Sequence, residues 1–131
     1  MTTRRATCSC GQLSVEVSGE PLRISVCHCL TCKVRTGSAF GAQARWPREN
    51  ARITGVSTEW VRATDAGNTL AFHFCATCGA TVHYAGSNAP EVIAIPIGAF
   101  ADPSFPVPTV SVFEQRAHRW APITGDVEHI P

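Results

Sequence analysis

Seven cysteines stand in three short clusters: Cys8-Ser9-Cys10, Cys27-His28-Cys29-Leu30-Thr31-Cys32 and Cys75-Ala76-Thr77-Cys78. No other feature constrains the fold as much. Two residues between ligands allow a tight knuckle turn around a cation, and one residue between them sets both sulfurs on the same side of an extended strand. The clusters lie far apart in the chain, so a metal that gathers them ties distant strands together. A closed tetrahedral zinc site takes four protein ligands, whereas a catalytic zinc takes three and keeps one position open. Seven cysteines divide into one of each.

The rest of the composition fits a folded body around such ions. A chain of 131 residues reads as a single domain, 1–131, and its 44% hydrophobic and 16% charged residues are enough to build a core. Metal would supplement that core and not replace it. The N-terminal run Met1 to Cys8 has no apolar stretch of the signal-peptide kind. The longest apolar stretch, Val92 to Phe100, is broken by Pro96 and too short to span a bilayer. These features lead us to expect a cytoplasmic protein with no membrane contact. Disulfides are uncommon in that reducing compartment, which favours metal binding or catalysis for the cysteines. A formal net charge of +1, with no basic block, argues against nucleic acid as a partner.

The dominant period along the chain is two. Leu13-Ser14-Val15-Glu16-Val17 and Leu22-Arg23-Ile24-Ser25-Val26 read as strands, and Gly19-Glu20-Pro21 between them predicts a hairpin. Further strands are expected over Ala39 to Trp46, Thr58 to Ala63, Thr69 to Phe74, Thr81 to Tyr84, Val92 to Ile97 and Val110 to Phe113. One or two helical turns fit around Thr31 to Arg35, and the run from Pro103 to Pro108 reads as an ordered loop. The expected class is all-β, a small zinc-stapled sheet domain with at most short helical turns.

Two partitions of the cysteines compete. In one, Cys29-x-x-Cys32 and Cys75-x-x-Cys78 form a knuckle pair, and Cys8, Cys10 and Cys27 are ordinary buried thiols. In the other, the glycines decide. Gly11 follows Cys10 and Gly79 follows Cys78, while Lys33 follows Cys32. A glycine there can take positive φ and turn backbone N–H groups toward the thiolates. Cys8, Cys10, Cys75 and Cys78 then look like two halves of one closed site. That leaves Cys27, Cys29 and Cys32 crowded in one loop, able to cover one face of a second cation. Zinc suits an all-thiolate site better than copper or an iron–sulfur cluster.

Read in order, Cys8-x-Cys10-Gly11, Cys27-His28-Cys29-x-x-Cys32, Thr36-Gly37-Ser38, Phe74-Cys75-x-x-Cys78-Gly79, Ile97-Gly98-x-Phe100-x-Asp102-Pro103 and Trp120 resemble the glutathione-dependent formaldehyde-activating enzyme (GFA) family. That resemblance implies the zinc-bound, β-rich Mss4-like fold and two zinc ions per chain. Cys8, Cys10, Cys75 and Cys78 would hold the structural one, and Cys27, Cys29 and Cys32 the catalytic one. It implies a carbon–sulfur lyase acting on a thiol–aldehyde adduct, as in the condensation of glutathione with formaldehyde to S-hydroxymethylglutathione. The expected partners are a small-molecule thiol such as glutathione, and an aldehyde. The alternative is a non-catalytic zinc-binding module for a macromolecular partner, and a thiol redox enzyme ranks last.

Four residues near the trio are candidates for substrate contact. His28 alternates with Cys27 and Cys29 and so points away from a metal they share, which suits support or surface over ligation. Lys33 and Arg35 can offset thiolate charge or meet a carboxylate, or form a solvated basic turn. Ser38, in Thr36-Gly37-Ser38, offers a hydroxyl donor. His73 and His83 read as packed or surface histidines. Arg116, His118 and Arg119 read as an exposed strand end, and Trp46, Trp60 and Trp120 mostly as core.

Overall fold

The alternating segments become eleven strands in two sheets. A computed structural model describes residues 1–131. The strands are β1 Thr3–Thr7, β2 Ser14–Ser18, β3 Arg23–Cys27, β4 Gly41–Pro47, β5 Ala51–Thr54, β6 Thr58–Ala63, β7 Thr69–Phe74, β8 Thr81–Gly86, β9 Val92–Pro96, β10 Val110–Val112 and β11 Glu128–His129. A three-stranded sheet runs β1-β2-β5, and an eight-stranded sheet runs β11-β10-β3-β4-β9-β8-β7-β6. Pairing is antiparallel except along β10, which is parallel to both β3 and β11. One α-helix, α1 Leu30–Thr36, breaks the pattern. No helix is long and apolar enough to cross a membrane.

One face of the large sheet meets the small one, and the period-two pattern decides which side chains fill the space between. Ala6, Val15 and Val17 from the small sheet join Ile24, Ala44, Trp46, Val82, Ile93 and Ile95 from the large sheet in one buried cluster. Trp46 is fully buried, and its indole N–H donates to the Gly19 carbonyl at 3.0 Å, so the ring brings no unpaired polar atom into the core. Phe105, from the proline-rich loop, packs its ring 6.5 Å from Trp46. The opposite face of the large sheet carries a second, smaller cluster of Phe72, Tyr84 and Ala94.

The expected hairpin does not form. β2 pairs with β1 and β5, whereas β3 pairs with β4 and β10. The turn between them is a corner from one sheet to the other, because its backbone donors are taken by other strands. Gly19 N–H donates to the Thr2 carbonyl at 2.8 Å, and Leu22 N–H to the Arg45 carbonyl at 2.6 Å. β1, β5 and β11 lie outside the sequence expectation; they are short and polar, and their order comes from their neighbours. Trp60 and Trp120 are also not core: 49% of Trp60 and 74% of Trp120 remain exposed. Trp60 stands on β6, the edge of the large sheet.

His73 and His83 are cross-strand partners with rings stacked 4.5 Å apart. His83 is 6% exposed, and its Nε2 has no hydrogen-bond partner. Burial, then His73 and Arg48, lower its pKa to about 4 from 6.5. The neutral ring is the one the fold accepts, so stability is full above pH 6.5 and is lost as pH falls toward 4. Between pH 6.5 and 5 this group costs about 2 kcal/mol. Urea unfolding at both pH values is expected to show that loss in the wild type and not in His83→Gln; equal slopes would contradict it.

Candidate metal centres

The first centre forms where the chain leaves β1 and β7. Cys8 and Cys10 follow the one, Cys75 and Cys78 the other, and their four Sγ atoms lie within 4.8 Å of one another. Cys10 Sγ is 3.6 Å from Cys8 Sγ and 3.6 Å from Cys75 Sγ. A tetrahedral zinc with bonds of about 2.3 Å keeps its sulfurs about 3.8 Å apart, so the spacing suits such an ion. Both halves are built alike. Cys8 N–H donates to the Leu13 carbonyl at 2.9 Å, and Cys75 N–H to the Ala80 carbonyl at 3.0 Å. Gly11 has φ +87° and Gly79 φ +83°, the left-handed backbone that glycine adopts without steric cost.

Further donors converge on these sulfurs. Leu13 N–H reaches Cys8 Sγ at 3.3 Å, and the Gln12 side-chain amide reaches Cys75 Sγ at 3.1 Å. The Gln12 bond is the main reason that the Cys75 thiol is pulled down to about 6. The same amide group clasps the loop before β6, donating to the Val56 carbonyl at 2.7 Å and accepting from Val56 N–H at 3.0 Å. Nothing in the sequence pattern singles out Gln12 except its place directly after Cys10-Gly11.

The second centre sits at the junction of β3 and α1. Cys27 ends the strand, Cys29 is the N-cap of the helix, and Cys32 lies in its first turn. Cys29 Sγ accepts the Cys32 N–H at 3.3 Å, which bends the loop and brings all three Sγ atoms within 4.8 Å of one another. Cys27 and Cys32 are buried and Cys29 is partly exposed, so solvent reaches the trio at Cys29. No fourth His, Cys, Asp or Glu donor joins the group. Cys32 is pulled down to about 5, first by the hydrogen bond with Cys27 and then by Cys29 and Arg35, while Cys27 is pushed up by the same pairing and by burial.

Both clusters could hold a metal ion, and their donor sets consist of sulfur alone. The glutathione-dependent formaldehyde-activating enzyme family model matches residues 3–116, which span every cysteine. This chain belongs to that family. A solved structure of a Rhodobacter sphaeroides protein covers 72% of this chain and 85% of its own, with a TM-score of 0.57 at 24% identity, a likeness of fold. The family membership accords with the resemblance carried by the motifs, and so with the Mss4-like fold that this resemblance implies.

The four candidate contacts of this family member separate clearly. His28 is 1% exposed; its Nε2 pairs with Ser111 Oγ at 2.9 Å, and its ring meets Phe40 edge-on at 5.6 Å. At that burial it has no route to a substrate. Lys33 donates its ammonium to the Arg116 carbonyl. Ser38 is exposed beyond the helix end, where its N–H donates to Thr36 Oγ1 at 3.2 Å. Arg35 alone joins the trio. Its charge helps to hold Cys32 ionised, and its guanidinium lies 4.7 Å above the Phe72 ring. Arg116, His118 and Arg119 are exposed, but they lie in the turns and loop beyond the end of β10 and not on a strand end.

Because Gln12 orients a ligand from outside the ligand set, its loss is expected to loosen any metal in the first centre by about tenfold or more. Chelator competition on Gln12→Ala measures this; retention equal to wild type would contradict it.

Proposed function

We propose that the protein is a zinc-dependent carbon–sulfur lyase. In this reading it joins a thiol such as glutathione to formaldehyde, giving S-hydroxymethylglutathione, and cleaves the adduct in reverse. Two zinc ions per chain are assigned: a structural one at Cys8, Cys10, Cys75 and Cys78, and a catalytic one at Cys27, Cys29 and Cys32. The carrying observation is the difference between the centres, four converging sulfurs in one and three in the other. A cytoplasmic site of action belongs to the same proposal, in keeping with thiols that must stay reduced.

The residues support the chemistry as follows. The bound ion supplies Lewis acidity that lowers the pKa of an incoming thiol. Cys27, Cys29 and Cys32 fix one hemisphere of the site and leave the partly exposed side at Cys29 for that thiol. The new C–S bond forms as the carbonyl π electrons move to oxygen, and the proton that left the thiol ends on that oxygen. Arg35 is the cation beside the trio, suited to the negative charge that develops there. His28, held by Ser111, keeps the loop that carries Cys27 and Cys29 in place. The addition proceeds slowly without a protein, so proximity and charge stabilisation suffice.

NMR exchange between free formaldehyde, glutathione and their adduct is expected to be accelerated by the zinc-loaded protein. A rate equal to the uncatalysed one would sink the glutathione–formaldehyde assignment. Cys29→Ser should lose one zinc and stay folded, while Cys75→Ser should unfold, because metal binding at the closed site is coupled to folding. Thermal melts with zinc analysis read this out, and equal destabilisation by both variants would contradict the partition. One zinc in the wild type would favour the non-catalytic module.

A further inference from the structure

The face of the large sheet opposite the core is a continuation of the second centre. Register places Arg45, Ala94, Tyr84, Phe72 and Trp60 in one row across β4, β9, β8, β7 and β6. Cys27 and its partner Gly41 stand on the same face, since Gly41 and Arg45 are separated by an even step along β4. Gly41 has no side chain where α1 comes down: a Cβ there would lie 3.5 Å from Cys32 Cβ and 3.4 Å from Arg35 Nη2. Arg35 therefore leads from the trio onto the aromatic row, 4.7 Å above the Phe72 ring and 5.4 Å from that of Tyr84.

Beyond Arg35 lies a cavity of about 310 Å³, lined by Arg35, Trp60, Phe72, Phe74, Gly79 and Thr81. That is the lower end of the size range of small-molecule sites. It contains no carboxylate, and no Asp or Glu pairs with the Arg35 guanidinium, whose charge is shared between Cys32 and this cavity. Trp60 stacks on Phe72 at 5.6 Å yet leaves 49% of its surface open at the cavity, an apolar area a stacked ligand would remove from water. A second cavity of about 350 Å³ opens on the same face, lined in part by Arg45, Asn68, Tyr84 and Asn88. A one-carbon aldehyde would use none of the aromatic cavity.

We propose that the aromatic cavity receives the body of the electrophile, and that this protein's aldehyde substrate carries a planar apolar group in place of formaldehyde's hydrogen. The group stacks on Trp60 and Phe74, and the carbonyl oxygen meets Arg35 at the trio end. This rests on the lyase reading above and replaces formaldehyde in it with a larger aldehyde; Trp60 and Phe74 are then the specificity-determining residues.

Thioethers that stand in for the two adducts, S-benzylglutathione and S-methylglutathione, provide the test. Isothermal titration of the zinc-loaded protein should show the benzyl compound binding about tenfold more tightly than the methyl one. Trp60→Ala should abolish that preference, and Thr81→Trp, which fills the cavity, should reverse it. Unchanged zinc content and melting temperature confirm that the variants fold. Equal affinities in the wild type, a preference that survives Trp60→Ala, or no binding of either thioether would overturn the proposal. Formaldehyde exchange accelerated in a protein with no benzyl preference sinks the cavity assignment and leaves the lyase reading. A Trp60-dependent preference with no exchange of formaldehyde or benzaldehyde leaves the cavity and sinks the lyase reading.

Discussion

Four sulfurs within 4.8 Å of one another join the exits of β1 and β7, and with them the small sheet to the large one. The rest of the structure depends on that junction. No hairpin joins one sheet to the other: β2 and β3 are adjacent in sequence but belong to different sheets, and β5 and β6 are likewise divided. Hydrophobic burial between the sheets is non-directional. It favours their stacking without choosing where along each other they meet. Knuckles with matched backbone hydrogen bonds, a glycine turn in each and the Gln12 clasp fix that position, and so set where the opposite face of the large sheet lies relative to α1.

The two cysteine centres differ in how the chain builds them. The closed one takes its sulfurs from two segments far apart in the chain, and its order is inseparable from the fold. The open one takes its sulfurs from a single run of six residues at a strand end, so it can change without loosening the sheets. Charge sharpens the contrast. Arg35 favours the ionised form of Cys32 in the crowded trio, and its guanidinium also lies 4.7 Å from the Phe72 ring and 5.4 Å from that of Tyr84. The same side chain therefore couples the electrostatics of the trio to the aromatic face.

Much of this was legible in the residues. The glycines after Cys10 and Cys78 announce a backbone requirement that is local, and both take the expected positive φ. Thr58–Ala63 and Thr69–Phe74 alternate clearly around the Asp65 to Asn68 turn, and they pair as neighbours. What escaped was non-local. The Gly19 corner carries the residues of a hairpin, yet its donors are claimed by Thr2 and Arg45, which no local window reveals. Trp60 has the composition of a core residue but stands on an edge strand. Gln12 was missed because its partner is a cysteine 63 positions away, and for Arg35, whose charge beside the thiolates was foreseen, the contact with two aromatic rings was not.

The central claim is that one sulfur set is closed and the other is open. Zinc-edge X-ray absorption on the fully loaded protein tests it most directly. Seven cysteines shared by two ions give a mean of about 3.5 sulfur neighbours per zinc, with a lighter atom filling the remainder. Adding a thiol should raise that mean to about 4. A mean of 4 before any thiol is added, unchanged by its addition, would contradict the account.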